Sequence, residues 1–232
     1  MITRQRIYAL YCKSKWVYAE LAKIGHRPWE KLIIFDVGSN AGTSFGYVAR
    51  WCFRSQFYAF EPTPYLVAEQ KKFTSKFKNY HLIPKAVAEK PGHAMFNVAG
   101  QSDWGCSSLL EFSPGLDKTW PGRTDFVLTD KIEVEVIRLD DFVRENKIPR
   151  IDFMHVDTQG SDLSVLRSLG EEIHRLQAGE IEVPVSKEVM LYQNQHTKEE
   201  AYEFLDKHGF EVWKVEPSSD NEHNVFFRRK LE

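Results

Sequence analysis

The stretch Phe35-Asp36-Val37-Gly38-Ser39-Asn40-Ala41-Gly42-Thr43 decides the fold of this chain. It begins at the last residue of the apolar run 32–35, and a helix is expected after it over residues 43–53. An apolar run without alternation is typical of a strand buried on both faces, as in a parallel sheet. Gly38 allows a tight turn between strand and helix, and Gly42 lets a bound group approach the backbone closely. The stretch therefore predicts a strand, a ligand-binding turn and a helix.

The acid in this turn indicates which ligand suits it. The start of a helix offers unpaired N–H groups and a positive dipole, which attract anions. Asp36 would nevertheless repel a pyrophosphate, whereas it would pair well with an ammonium group. A nicotinamide-binding turn reads GxGxxG, but this turn reads DxGxxxG. A ligand with a positive amino group fits better than a dinucleotide, and a plain turn with a helix-capping role is the simpler alternative.

Glu61 ends the next predicted strand, residues 57–60, and lies 25 residues after Asp36. An acid in this place can accept hydrogen bonds from both hydroxyls of a ribose. An acid at a strand end is commonplace by itself, so its meaning depends on Asp36 and Gly38. Together these residues offer partners for an ammonium group and a ribose on neighbouring strand ends, which describes S-adenosylmethionine.

Strands and helices alternate along the rest of the chain. Further strands are expected at 80–84, 95–98, 132–137, 151–156, 180–183, 212–215 and 224–227. Helices are expected at 65–77, from Asp140 to before Pro149, at 162–169, and at 198–207 after a capping box of Thr197 and Glu200. The last two strands have no helix between them, so they should pair antiparallel. We therefore expect an α/β fold whose open, seven-stranded sheet is mostly parallel, with one antiparallel strand near the C-terminus and helices on both faces.

Three segments lie outside this alternation. Residues 1–30 are expected to be an N-terminal helical extension with a basic face, followed by one domain at 31–230. Residues 100–122 and 184–196 are expected to be loops, and a long loop inside a compact domain is usually functional or disordered. Trp104, Trp120 and Tyr192 in these loops are candidates for a sugar-stacking platform, with core packing as the more ordinary use.

The composition excludes several classes of protein. Hydrophobic residues make up 42% and charged residues 28% of 232, which is typical of a globular chain. A net charge of −2 argues against nucleic acid as the main partner. Neither an apolar run long enough to span a membrane nor a signal-peptide pattern is visible. Three scattered cysteines without CxxC argue against a disulfide framework or structural zinc, and favour the cytoplasm.

Six short motifs resemble the FkbM-type methyltransferases, a family within the class I S-adenosylmethionine-dependent fold. They are FDVGSNAGT (35–43), YAFEPTP (58–64), PKAVAEKPG (84–92), CSSL (106–109), VIRLDDF (136–142) and IDFMHVDTQGSDLSVLRSLG (151–170). They occur in the family's order and cover roughly residues 31–227. The family often has Lys where this chain has His155, and Glu where it has Gln159, so no role can be carried over onto those two positions.

The resemblance implies a Rossmann-like fold and an O-methyltransferase that uses S-adenosyl-L-methionine and releases S-adenosyl-L-homocysteine. The acceptor would be a small-molecule or glycan hydroxyl, first of a sugar and second of a polyketide-like or lipid natural product. The resemblance implies that four residues bind the cofactor: Asp36, Gly38, Asn40 and Glu61. Further candidates for cofactor binding in the same motifs are Ser39, Gly42, Thr43, Pro62, Ala86, Val87 and Ser107. For Ser107, contact with a polar substrate or a simple turn in an exposed loop are both open.

Asp157 is the first candidate for a catalytic base. It follows the presumed fourth strand, where ligands of open α/β sheets bind. Methylating an alcohol requires removal of a proton, and a carboxylate or imidazole can take it. His155 and Glu182 are the other candidates, although a histidine in mid-strand is more often a core residue. Asp157 with Glu182 could also hold a hard divalent cation, but no compact ligand cluster is visible and no metal is predicted.

Two hypotheses that assign the chain to another class of protein stay open. A nicotinamide-dependent oxidoreductase is disfavoured by Asp36 and the missing GxGxxG. A non-catalytic cofactor-binding module would keep the fold and the cofactor affinity without turnover. The sequence indicates neither the oligomeric state nor the position of methylation on the acceptor.

Overall fold

The computed structural model describes residues 31–43, 45–100, 104–123 and 126–230. The strands in these ranges are β1 Ile33–Val37, β2 Gln56–Phe60, β3 Tyr80–Ile83, β4 Ala86–Val87, β5 Gly92–Ala99, β6 Leu128–Ile137, β7 Phe153–Val156, β8 Ala178–Pro184, β9 Phe210–Pro217 and β10 Glu222–Arg229. The α-helices are α1 Gly46–Trp51, α2 Pro64–Thr74, α3 Leu116–Thr119, α4 Leu139–Glu145, α5 Asp162–Arg167 and α6 Lys198–Lys207. The expected N-terminal extension, residues 1–30, lies outside the described residues.

The main sheet has the order β3-β2-β1-β7-β8-β10-β9. Five neighbouring strands of this sheet, β3, β2, β1, β7 and β8, pair in parallel. Strand β10 is antiparallel to both β8 and β9. This confirms the prediction of a mostly parallel sheet with one reversed strand near the C-terminus. The chain runs outward from β1 to β3 and then returns to β7 on the other side of β1. Ligands of such sheets bind at the carboxyl ends of the strands where the order reverses.

A second sheet, with the order β4-β6-β5, was not predicted. The sequence indicated strands at 95–98 and 132–137, and the structure extends both of them into one antiparallel pair. The two-residue strand β4 adds to β6 in parallel and gives no readable sequence pattern. Buried Phe96, Val134 and Val136 hold this small sheet together. It forms one wall beside the strand ends of the main sheet.

Hydrophobic clusters cover both faces of the main sheet. Phe35, Met154 and Ile181 point toward the side that carries α4, α5 and α6. Ile34, Phe153 and Ala178 point toward the side that carries α1. Because side chains alternate along a strand, Asp36, His155 and Glu180 lie on the same face as Ile34. Toward the carboxyl edge of the sheet, the side chains on this face therefore change from apolar to polar.

The predicted helices are confirmed except at their ends, whereas the short helix α3 was not predicted and lies in the expected loop 100–122. Helix α1 begins at Gly46, three residues later than predicted, and α2 ends at Thr74. Helix α6 has the predicted bounds and the predicted capping box, in which Glu200 N donates to Thr197 Oγ1 at 3.1 Å. Within the described ranges, no helix combines the length and the hydropathy that crossing a membrane requires.

Candidate functional site

A pocket opens at the carboxyl ends of β1, β2 and β7. Strand β5 of the small sheet supplies Phe96, and the segment between β5 and β6 supplies Ser107 and Leu109. Seven of the predicted cofactor residues line the pocket: Gly38, Asn40, Glu61, Pro62, Ala86, Val87 and Ser107. The fold therefore brings together, at one place, residues that are up to 69 positions apart in the sequence.

The turn after β1 requires glycine at position 38. Gly38 has φ +83°, and a Cβ there would lie 1.8 Å from the carbonyl oxygen of Asp157. The N–H groups of Gly38 and Ser39 both donate to the carbonyl oxygen of Phe60 at 3.0 Å. The turn is thus pressed against the end of β7 and tied to the end of β2, with no room for a larger residue.

Glu61 connects this turn to the loop after β2. Its side chain is buried, with Oε2 accepting from Asn40 N at 2.9 Å and Oε1 from Thr63 N at 2.8 Å. Burial raises the pKa of Glu61 to about 7, against the lowering effect of these hydrogen bonds. Each carboxylate oxygen can accept a further hydrogen bond. Glu61 therefore fits the two hydroxyls of a ribose.

Ser39, Gly42 and Thr43 do not line the pocket. Gln70 of α2, which is fully buried, donates to Ser39 Oγ at 2.8 Å and to the carbonyl oxygen of Asn40. A Cβ at Gly42 would also meet the Gln70 side chain. The second half of the turn is thus supported from behind by Gln70. Sequence reasoning missed this residue because a glutamine within an amphipathic helix carries no motif.

Asp36 lies beneath the pocket and faces His155. The Asp36 Oδ1 and His155 Nδ1 atoms are 3.0 Å apart, and Asp36 is 1% exposed. Burial by itself lowers the pKa of His155, but the hydrogen bond and charge of Asp36 raise it to about 10. Asp36 Oδ2 has no hydrogen-bond partner within the described part of the chain. This buried, unpaired oxygen fits the ammonium group of S-adenosylmethionine.

Asp157 lines the pocket and is held by Gln159. The Gln159 Nε2 atom donates to Asp157 Oδ1 at 2.7 Å, and Gln159 itself has φ +56°. The Tyr192 hydroxyl lies 2.9 Å from Gln159 Oε1 and 2.8 Å from the carbonyl oxygen of Cys106. Ser108 Oγ donates to the carbonyl oxygen of Gln159 at 2.6 Å. In the sequence, Gln159 differs from the family pattern, but no sequence signal indicates that it positions Asp157.

Two of the three candidate sugar-stacking aromatics do not face the pocket. Trp120 and Tyr192 are 6% and 1% exposed, so both take the more ordinary use, core packing, and neither forms a sugar-stacking platform. Tyr192 stacks on Phe112 with a centroid distance of 5.3 Å, and Trp120 Nε1 donates to the carbonyl oxygen of Val189 at 3.0 Å. These rings instead join the two predicted loops into a small core. The Trp104 side chain lies outside the described residues.

Glu182 lies on β8, which ends at Pro184. It lies near other acids on the same face, and burial together with the charge of Asp157 raises the pKa of Glu182 to about 7. Burial and the charge of Glu182 raise the pKa of Glu222 to about 8. Among the described residues, no group of three or more His, Cys, Asp or Glu side chains is arranged to hold a metal ion.

We expect the ligand-free protein to become less stable as the pH rises from 6 to 9. Glu61, Glu180 and Glu182 have folded-state pKa values of about 7, and Glu222 of about 8, all above their ordinary 4.5. Each group binds its proton more tightly in the folded state, so its stabilising effect is full below pH 4.5 and is lost as the pH rises through 7 to 8. His155, with its pKa raised to about 10, acts in the same direction.

Thermal denaturation at constant ionic strength measures this dependence. Glu222→Gln should flatten the decline between pH 7 and 8, whereas Glu69→Gln on the surface of α2 should leave it unchanged. A melting temperature that stays level or rises over this range would contradict the raised pKa values of the buried carboxyls.

Comparison with known proteins identifies a methyltransferase family and one methyltransferase relative. Residues 36–212 match the family described as Methyltransferase FkbM domain. The chain is 26% identical over 139 residues to the 2-O-methyltransferase NoeI of Sinorhizobium fredii, a match that covers 58% of this chain and 56%, just over half, of that protein.

Two solved structures show distant similarity. The precorrin-6y C5,15-methyltransferase of Geobacter metallireducens has a TM-score of 0.47 and 14% identity, with 91% of this chain and 86% of that chain covered. An rRNA methylase of Streptococcus thermophilus has a TM-score of 0.47 and 13% identity, with 93% and 95% covered. The family match spans well over half of the sequence and contains the glycine turn, Glu61 and Asp157. The chain therefore belongs to the FkbM family of S-adenosylmethionine-dependent methyltransferases.

Proposed function

We propose that this chain transfers a methyl group from S-adenosylmethionine to a hydroxyl of a sugar in a glycan or glycoconjugate. The observation that carries the proposal is the position of Asp157, a carboxylate beside the glycine turn in the pocket that also contains Glu61. The relative from Sinorhizobium fredii is named as a 2-O-methyltransferase, which supports oxygen as the accepting atom.

The cofactor would be held by residues that the geometry brings together. Glu61 would accept hydrogen bonds from the ribose hydroxyls, and Asp36 Oδ2 would receive the ammonium group. Gly38 and Asn40 would allow close approach to the backbone of the turn. When bound, S-adenosylmethionine supplies an electrophilic methyl group on a sulfonium, whose carbon–sulfur bond breaks as the acceptor oxygen attacks.

Asp157 would accept the hydroxyl proton as the oxygen attacks. Gln159 occupies Asp157 Oδ1, and no donor from the described residues binds Oδ2, which is left for the acceptor. His155 is a poor base, because its raised pKa keeps it protonated at neutral pH. Positioning of the two reacting groups would supply most of the acceleration, and general-base catalysis about 10²- to 10⁴-fold.

Polar groups at the pocket support a sugar acceptor over an apolar one. Asn40, Lys85, Thr158 and Gln159 line the same pocket as Asp157 and offer both donors and acceptors. A sugar can hydrogen-bond to these side chains, whereas the apolar part of a polyketide-like or lipid acceptor cannot.

The test has two stages. Calorimetry should show binding of S-adenosylhomocysteine and S-adenosylmethionine, and no binding of NAD. Mass spectrometry should then show the gain of one methylene group on sugar acceptors with free hydroxyls, lost when the same sugars are per-O-acetylated. Preference for a polyketide-like or lipid alcohol would overturn the sugar assignment, and NAD binding without adenosyl binding would overturn the methyltransfer.

We expect Gln159→Ala to reduce kcat about tenfold while leaving the affinity for S-adenosylhomocysteine unchanged. The substitution removes the hydrogen bond that orients Asp157, and a net hydrogen bond to a charged group contributes about 1.5–3 kcal/mol. Gln159→Glu should be worse at neutral pH, because a second carboxylate beside Asp157 would favour protonation of one of them. The pH–rate profile of Gln159→Glu should therefore shift toward higher pH. An unshifted profile in this variant would contradict the positioning role.

A further inference from the structure

The buried face of helix α2 carries polar residues where apolar ones would be expected. Leu66, Gln70 and Thr74 are spaced four residues apart and therefore lie on one face, and all three are buried. Gln70 is fully buried. Burial of an amide costs free energy unless its hydrogen-bonding groups find partners. The partners of Gln70 therefore indicate why a glutamine occupies this position.

Each polar atom of the Gln70 side chain has a hydrogen-bond partner. Its Nε2 atom carries two hydrogens, which it donates to Ser39 Oγ at 2.8 Å and to the carbonyl oxygen of Asn40. Its Oε1 atom accepts from the hydroxyl of Tyr80, the first residue of β3, at 2.8 Å. A carbonyl can only accept, so the amide nitrogen must face Asn40 and the amide oxygen is left for Tyr80. Tyr80 thus fixes the Gln70 amide, which in turn fixes two residues of the turn after β1.

Asn40 is the residue through which this chain of hydrogen bonds reaches the pocket. It has φ +50°, in the left-handed region that residues other than glycine rarely adopt. Its N–H donates to Glu61 Oε2 at 2.9 Å, and its carbonyl oxygen accepts from Gln70. The two peptide groups that flank Asn40 are therefore both held. Asn40 and Glu61 line the pocket, whereas Gln70 and Tyr80 lie behind it.

The same side chain accounts for two turn residues that do not face the pocket. Ser39 is buried and accepts a hydrogen bond from Gln70. Gly42 has φ +68°, and a Cβ there would lie 2.8 Å from Gln70 Cγ and Gln70 Oε1. The group that closely approaches the backbone at Gly42 is thus the Gln70 side chain. Ser39 and Gly42 therefore serve the support of the turn.

We propose that Gln70 and Tyr80 are positioning residues for the cofactor, which hold the turn in its binding conformation before the cofactor binds. This inference rests on the part of the proposed function that places the ribose at Glu61. Without the Gln70 amide, the Asn40 carbonyl is released and Asn40 can leave its left-handed conformation. Glu61 then loses the N–H of Asn40, one of the two backbone donors that orient its carboxylate. A site that must become ordered on binding has a lower affinity than a site that is already ordered.

Calorimetric titration with S-adenosylhomocysteine tests the proposal. Gln70→Met keeps the length of the side chain and removes its hydrogen bonds, so we expect Kd to rise about tenfold. Tyr80→Phe removes only a hydroxyl, so the variant should fold normally, and we expect Kd to rise about threefold. In the Gln70→Met background, Tyr80→Phe should have no further effect, because both residues act through the same amide. An unchanged Kd in both single variants, or independent effects in the double variant, would overturn the proposal.

Asn79→Ala is the matched control, because Asn79 is another buried amide, at the opposite edge of the sheet from the pocket. Its Nδ2 atom donates to the carbonyl oxygens of Ala49, Cys52 and Ser55, all in the segment that precedes β2. Asn79→Ala should lower the melting temperature, as Gln70→Met should, but it should leave Kd unchanged. Equal weakening of binding by Asn79→Ala would show that any loss of stability reduces the affinity, and would overturn the positioning role.

The titration does not depend on turnover, which separates this inference from the proposed acceptor. Weaker binding in the Gln70 and Tyr80 variants, without methylation of any sugar, would uphold the positioning role and refute the proposed function. Methylation of a sugar, together with an unchanged Kd in both variants, would do the reverse. Absence of S-adenosylhomocysteine binding to the wild type would overturn both.

Discussion

Asp157→Asn should lower kcat by about 10²- to 10⁴-fold, the range expected for loss of a general base. The affinity for S-adenosylhomocysteine should change by less than about threefold, because the proposed cofactor contacts come from Glu61, Asp36 and the glycine turn. The asparagine oxygen can still accept the hydrogen bond from Gln159, so the geometry of the loop is kept. Initial rates with a sugar acceptor and calorimetry with S-adenosylhomocysteine measure the two effects separately.

Glu182→Gln provides the control for this variant. Glu182 is the neighbouring acid one strand away, and Glu182→Gln should lose less than tenfold in kcat. A rate for Asp157→Asn within threefold of wild type would exclude Asp157 as the base and leave Glu182 as the remaining candidate.

The main sheet could be predicted because its strands are read locally. The run before Asp36 is apolar without alternation, and a buried parallel strand requires that pattern. The C-terminal pair could be predicted because no helix separates β9 from β10. The small sheet could not be predicted, since β4 has two residues and the first half of β5 is largely exposed and does not alternate between apolar and polar residues. Its pairing with β6 arises from tertiary packing rather than from any local signal.

In the candidate site, too, only the residues with a local sequence signal could be predicted. Gly38 and Glu61 belong to short motifs at strand ends, so their position at the pocket follows from the topology. The partner of Asp36 could not be read, because the register between β1 and β7 places His155 beside it from 119 residues away. The use of Gln159 depends on Tyr192, which reaches it from a distant loop. A lone glutamine in a turn gives no indication of such a contact.

Glu61→Ala should weaken binding of S-adenosylhomocysteine by about 100-fold or more. Two hydrogen bonds from ribose hydroxyls to a charged group are lost, each contributing about 1.5–3 kcal/mol, and 1.4 kcal/mol corresponds to tenfold in affinity. The backbone N–H groups of Asn40 and Thr63 also lose their acceptor, so the turn itself becomes less well held. Calorimetry gives the affinity, and thermal denaturation of the ligand-free variant shows how much of the loss comes from the fold.

Glu61→Gln separates the two contributions. Its size is preserved, but its amide nitrogen would face a backbone N–H, so we expect a smaller loss of affinity than with alanine. Because the pKa of Glu61 in the free protein is about 7, the wild-type affinity should decline as the pH falls below 7, where the carboxylate becomes protonated. The affinity of Glu61→Gln should lack this decline. A wild-type affinity that is constant between pH 5.5 and 8 would show that ribose recognition does not use the charge of Glu61.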